Sequence, residues 1–285
     1  MSLSSHIKGK TPIGQFLLDS IIIPKLPPSA IEEPSIKHEG RRWGLIGTAF
    51  DYLVRMSLTS RKGVGFEPKI AIVAIKKYLI SSECRFARNV ILTGIECSSC
   101  AACKHYEKFS DCHEISQVAI KQKNIRKMAA TSLSFARLDG FYRPPHFWDD
   151  EWFSRKTDSD DIRELLELHE LWSRCFVLPK GKLLLNPSFD SSPLLGGADA
   201  DLIVNQTIID WKVVNDPRRD LRTSLAQLLG YSLLSNLDGK PLETCTLYFA
   251  RHGIQFSLPI SEILKLNIDE ALSVFIELLK DREAV

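Results

Sequence analysis

The chain has 285 residues, 44% hydrophobic and 25% charged, with a formal net charge of +2. This profile is ordinary for a soluble globular protein with ample core, and without a signal peptide a disulfide framework is not expected. No apolar run approaches the roughly 18–20 residues that span a bilayer, Ile21-Ile22-Ile23 is too short for a signal-peptide core before Pro24, and no G-x-x-x-x-G-K-[ST] phosphate loop is present, so a cytoplasmic protein without a membrane partner or an ATPase of its own is expected.

Residues 1–40 are rich in serine and proline and read as an irregular arm with a short helix near Gln15 to Ile22. A helix is expected from Trp43 to about Ser57 and a second from Pro68 to Ile80. Residues 97–113 are cysteine-rich. Residues 114–138 read as one basic amphipathic helix, and residues 139–158, with Gly140, Pro144 and Pro145, as a loop. Ile162, Leu165, Leu166, Leu168 and Leu171 recur at helical spacing behind Asp160 or Asp161 as N-cap. His169 in that helix reads as structural. Cys175 to Leu178 and Lys182 to Leu185 flank Pro179-Lys180-Gly181 and predict a first hairpin. A helix capped by Asp220 runs to about Asn236 and stops at Asp238-Gly239. Thr244 to Ala250 and Gln255 to Leu258 predict a late hairpin around His252-Gly253, and Ser261 to Leu279 a closing helix. Basic residues cluster at Arg41-Arg42, Lys76-Lys77, Lys121 to Lys127, and Arg218-Arg219 with Arg222. The first three read as solvated faces. The last lies between two motifs and is a candidate phosphate-binding group. The overall charge neither supports nor excludes a nucleic-acid partner.

The most informative stretch is residues 197–212, GADADLIVNQTIIDWK. Apolar runs on either side of Asn205-Gln206 predict a β-hairpin. The register would pair Val204 with Thr207, Ile203 with Ile208, Leu202 with Ile209 and Asp201 with Asp210, leaving Asp199 opposite Lys212. Alternation then puts Asp199, Asp201, Asp210 and Lys212 on one face. Ala198, Ala200, Leu202, Ile209, Trp211 and Val213 on the other face would be core. Two carboxylates about 5 Å apart repel by roughly 3 kcal/mol at an effective dielectric of about 20. Lys212 offsets part of this, and a hard divalent cation would offset the rest. The plainer reading is a solvated face with one ion pair.

These residues resemble the PD-(D/E)xK nuclease superfamily, and within it the RecB-like exonuclease branch. Asp201 is similar to the first metal-binding acid and Asp210-Trp211-Lys212 to the D-x-K element. Gln227 and Tyr231, four apart, resemble the branch's Q-x-x-x-Y helix. Gly47 to Asp51 falls where the branch often has G-x-x-x-H, with Asp51 in the histidine's place. D-x-K alone is a weak motif; the ordered combination is specific. The motifs cover a small part of the chain but bracket most of it.

The resemblance implies an α/β fold with a restriction-endonuclease-like core, a central mixed sheet flanked by helices, carrying a helical, Cys-rich insertion. The arm would be residues 1–40, the first core helix 41–60, the insertion 61–174 and the nuclease core 175–285. It implies metal-dependent hydrolysis of phosphodiester bonds, in DNA first and RNA second. Asp201, Asp210 and the backbone carbonyl of Trp211 would hold Mg²⁺ or Mn²⁺, Lys212 would orient the water or stabilise the transition state, and Gln227 and Tyr231 would position them. Asp51 and Asp199 would support the site, and Arg218, Arg219 and Arg222 would meet phosphate. A separate helicase or recombination partner would fit that setting. The alternative is a non-catalytic nucleic-acid-binding adaptor on the same fold.

Four of the seven cysteines, Cys97, Cys100, Cys103 and Cys112, are closely spaced, with His105 and His113 among them. Such spacing suits a structural Zn²⁺ site. A 4Fe–4S cluster is the rival, since some RecB-like nucleases carry one; they place three cysteines after the nuclease motifs, and here only Cys245 follows. Partly buried free thiols are the third reading.

Overall fold

The computed structural model describes residues 2–37, 43–81, 101–142 and 157–283. The chain divides into two compact units, one formed by Met1–Lys37 with Leu171–Val285 and the other by His38–Glu170.

The first unit is α/β. Its five strands, β1 (Leu183–Leu185), β2 (Leu202–Val204), β3 (Thr207–Lys212), β4 (Thr244–Phe249) and β5 (Ile254–Pro259), lie side by side in chain order. All neighbours are antiparallel except β3 and β4, which are parallel. Parallel neighbours need a crossover, supplied here by the helix Pro217–Leu237.

Two helices open this unit, α1 (Leu3–Lys8) and α2 (Pro12–Asp19), so the segment expected as an irregular arm is part of the core. Leu3, Ile7, Ile13, Leu17 and Leu18 are buried there. Gly14 is required where α2 crosses α1, because a Cβ would lie 2.0 Å from the His6 carbonyl oxygen.

The second unit is helical. It contains α3 (Trp43–Lys62), α4 (Lys69–Ser81), α5 (Ala101–Lys121), α6 (Ile125–Tyr142) and most of α7 (Ser159–Cys175). The unit boundaries therefore differ from the expected ones: α3 packs with α6 among the helices, and residues 1–37 belong with the sheet. The expected helix 114–138 is two helices. Lys123 adopts φ 54°, and the Asn124 side chain accepts the Lys127 N–H at 3.0 Å, starting α6 afresh. The N-cap of α7 is Asp158, which accepts from the Asp160 N–H at 3.0 Å, rather than Asp160 or Asp161.

The crossover helix is α8, and α9 (Ile260–Ile263) and α10 (Ile268–Glu283) close the chain. Asp216, not Asp220, caps α8, accepting from the Arg218 N–H with Pro217 at the first helical position. The expected closing helix is interrupted because Asn267 accepts the Glu270 N–H and begins α10. The first hairpin does not form. Cys175 ends α7, and Phe176 packs on Trp172, Trp211 and Tyr248 at 5.8, 5.1 and 5.4 Å between ring centroids. Val177 bonds the Gln255 side chain in both directions instead of pairing with another strand. β1 pairs with β2.

The late hairpin forms as expected, with Gly253 at φ 66°. No described helix is long and apolar enough to cross a membrane.

Candidate active site

The motif hairpin has the expected register: Val204 faces Thr207, Ile203 faces Ile208 and Leu202 faces Ile209 across the turn, where Asn205 takes φ 51°. The ladder stops there. Before Leu202 the chain pairs with the segment after β1 instead. Asp199 bridges to Ser188, the Ala200 N–H bonds the Pro187 carbonyl, and the Asp201 carbonyl accepts from the Asn186 N–H. Asp199 is therefore held by the Ser188 hydroxyl at 2.5 Å rather than placed opposite Lys212 by the ladder. Strand alternation does not extend to residues 198–200, so Ala198 and Ala200 share a core with Ile203 and Ile208.

Both faces of β3 are buried, not one. Leu202, Ile209 and Trp211 are buried as expected, with Trp211 on the aromatic side beside Trp172, Phe176 and Tyr248. Ile208 joins the core that includes Leu221, Leu225 and Leu228 of α8. Period two along β3 puts Asp210 and Lys212 on the Ile208 face. Gln227 and Tyr231, one turn apart on α8, meet them there.

The contacts close into one network. Lys212 Nζ lies 2.6 Å from Asp210 Oδ2 and donates to Gln227 Oε1 at 3.0 Å. Gln227 Nε2 donates to the Tyr231 hydroxyl at 2.7 Å and to Ser4 Oγ at 3.2 Å. Asp201 reaches over the end of β2, where Oδ2 accepts the Trp211 N–H at 2.8 Å. The N–H and C=O of one strand residue point to the same edge, so the Trp211 carbonyl is turned toward Asp201 as well. Tyr231 stacks on Phe189 at 5.6 Å.

Asp210 is buried, and the Lys212 side chain is 20% exposed. Burial alone would lower the Lys212 pKa, but the carboxylates of Asp210 and Asp201 outweigh it and raise the value. The Tyr231 phenol is pushed well above its usual range, first by burial and then by Asp210 and Asp201, with Asp199 adding to the effect. Three carboxylates thus act on one buried phenol.

Among the described residues no group of three or more Asp, Glu, His or Cys side chains is arranged to hold a metal. An ion here would rest on the Asp201 and Asp210 carboxylates and the Trp211 carbonyl. These are hard oxygens, and Mg²⁺ is commonly bound by one or two carboxylates with water and substrate phosphate completing its shell. The donor set fits that ion.

Asp51 belongs to the helical unit, where Arg55 grips both its oxygens at 3.2 and 2.5 Å. Arg222 is committed to α2: Nε and an Nη donate to the Leu18 carbonyl at 3.2 and 3.0 Å, capping that helix. Arg218 is exposed and pairs with Asp216 at 2.9 Å, while Arg219 is exposed.

Cys97 and Cys100 lie outside the described residues. Cys103 and Cys112 lie nine residues apart on the continuous helix α5, about 14 Å along its axis and half a turn around it. The structure does not bring them together. Burial raises the Cys112 thiol, which hydrogen-bonds Ser134. His105 is buried beside Tyr78, and His113 bonds Gln117.

Sequence reasoning missed Ser4 and Ser188. For Ser4 a signal exists: Ser2 as N-cap followed by Leu3 and Ile7 at helical spacing. Ser188 carries none. Comparison with known proteins returns no match to any protein family, curated protein or solved structure.

Proposed function

We propose that the chain is a divalent-metal-dependent nuclease of the PD-(D/E)xK type, RecB-like, with DNA as its first substrate and a restriction-endonuclease-like core in its sheet unit. The observation that carries this reading is the ion pair of Lys212 with buried Asp210, joined by Gln227 and Tyr231, with Asp201 on the intervening Trp211 peptide. Strand, hairpin arm and crossover helix each contribute, at one end of β3. A structural ion pair needs no such convergence.

A divalent cation held by Asp201, Asp210 and the Trp211 carbonyl would activate water and neutralise charge on the phosphate. Lys212 holds its ammonium where negative charge grows on the phosphoryl oxygens. Gln227 fixes that ammonium in place. Tyr231 braces Gln227 and excludes water from behind it.

A polyanionic partner has further support in the helical unit. Ser60 Oγ bonds the Ile120 carbonyl at 2.8 Å and draws the last turns of α3 and α5 together. Exposed Arg61, Lys62, Lys121, Lys123, Arg126 and Lys127 gather at that end.

The test is cleavage of end-labelled linear and covalently closed circular DNA with Mg²⁺ or Mn²⁺. Wild type should cleave, and Lys212→Ala and Asp210→Ala should fall by about two to three orders of magnitude. Cleavage of linear DNA alone identifies an exonuclease, and of circles an endonuclease. DNA binding without metal-dependent cleavage would replace the enzyme by an adaptor.

A further inference from the structure

We propose that Ser4 is a positioning residue of this site, acting through Gln227 on Lys212; the proposal rests on the reading of Asp210 and Lys212 as catalytic. A glutamine amide has one oxygen that accepts and one nitrogen that donates twice. An ammonium only donates, so Gln227 must turn Oε1 toward Lys212, at 3.0 Å. That leaves Nε2 facing two oxygens, the Tyr231 hydroxyl at 2.7 Å and Ser4 Oγ at 3.2 Å. With all three contacts made, the amide has one orientation and one reach. Without Ser4 it keeps Tyr231 but loses the contact that fixes it from the α1 side.

Ser4 is itself held rigidly. The neighbouring Leu3 N–H donates to the Gly197 carbonyl at 3.1 Å, which ties α1 to the segment leading into Asp199 and Asp201. The Leu3 side chain is buried over Gly230, where a Cβ would come within 2.7 Å of it. Gly230 lies on α8 between Gln227 and Tyr231. Helix α1 is therefore docked on the one turn of α8 that carries both site residues. From the other side α1 is locked by α2, through Gly14 and the 2.9 Å bond between His6 Nδ1 and Thr11 Oγ1. The opening segment contributes to the site and does not merely cover it.

The test compares full-length wild type, Ser4→Ala and Ser4→Thr. With Mg²⁺ and end-labelled linear DNA, Ser4→Ala should lower kcat about fivefold to tenfold and leave KM within about twofold, as expected when positioning rather than binding is lost. Its melting temperature should stay at the wild-type value, and Ser4→Thr should restore kcat. A second readout needs no activity. The Gln227 side-chain amide pair in a ¹⁵N–¹H spectrum, assigned by its loss in Gln227→Leu, should shift in Ser4→Ala and return in Ser4→Thr. An unmoved amide pair would overturn the proposal whatever the activity. An unchanged kcat in Ser4→Ala, with wild type active, would overturn it too. An inactive wild type whose amide pair still responds to Ser4→Ala would sink the nuclease reading alone and leave the Ser4–Gln227 link standing.

Discussion

The sheet unit and the helical unit each bury a cluster of charge, and they handle it differently. In the helical unit Asp51 and Arg55 are one turn apart on α3, and the guanidinium meets both carboxylate oxygens. Arg55 also lies over the Tyr52 ring at 4.4 Å, while the Tyr52 hydroxyl donates to Asp139 at 2.8 Å. The central pair is neutralised within a single helix. In the sheet unit Asp201 takes a peptide N–H and Asp199 a serine hydroxyl, both neutral donors, while Lys212 pairs with Asp210. Asp201 and Asp210 act on both that lysine and Tyr231, and Asp199 acts on Tyr231 as well. The first arrangement explains itself as architecture. On the proposed reading, the second concentrates carboxylates whose mutual repulsion a divalent cation would offset.

Two conservative substitutions should separate these cases. Asp201→Asn keeps an oxygen for the Trp211 N–H but removes a charge. Cleavage should fall by about two to three orders of magnitude, while stability to denaturant without metal should hold or rise, because repulsion is relieved. Asp51→Asn does the reverse. It leaves Arg55 buried without its anion, at a cost of about 3 kcal/mol or more, and kcat should stay near the wild-type value. Cleavage and urea unfolding of the two variants measure both. If Asp51→Asn abolishes cleavage at unchanged stability, the contrast fails and Asp51 belongs to the chemistry.

The residues legible in the sequence were those whose signal is local. Period-two alternation and Asn205-Gln206 set the hairpin register, and the i,i+4 spacing of Gln227 and Tyr231 set their shared side of α8. What was not legible depends on partners distant in sequence. Nothing near Cys175 to Leu178 shows that Phe176 would join Trp211 and Tyr248 rather than pair as a strand. Nothing near Arg222 shows that α2 would end beside it and take its guanidinium as a cap. The spacing of Cys103 and Cys112 suits a metal in a loop, but a continuous helix sends the two thiols to opposite sides.

Acid should sharpen the comparison from the helical side. His169 is buried against Ser57 at 2.9 Å. Burial, with Arg61 adding to it, holds its pKa down to about 4. Between that value and the ordinary value near 6.5, the unfolded chain binds a proton that the folded chain refuses, so stability falls as pH drops through this window. The loss should reach up to about 3 kcal/mol. His169→Gln should flatten stability between pH 6.5 and 4, measured by urea unfolding followed through helix content. An unchanged pH slope would mean that the imidazole is not held neutral there.

The smallest effect concerns the basic end of the helical unit. If phosphate contacts are made there, their signature is ionic rather than catalytic, because each phosphate neutralised releases counterions on binding. The slope of log affinity against log salt is about 0.9 per contact for duplex DNA. Replacing Lys123, Arg126 and Lys127 together by glutamine should therefore flatten that slope by at most about 2.7 and leave kcat at saturating DNA unchanged. Lys212→Ala should show the opposite pattern, with kcat lost and the salt slope nearly intact. A triple variant that loses kcat instead would mean that these cations position the scissile phosphate. A triple variant with an unaltered slope would mean that these cations make no phosphate contact.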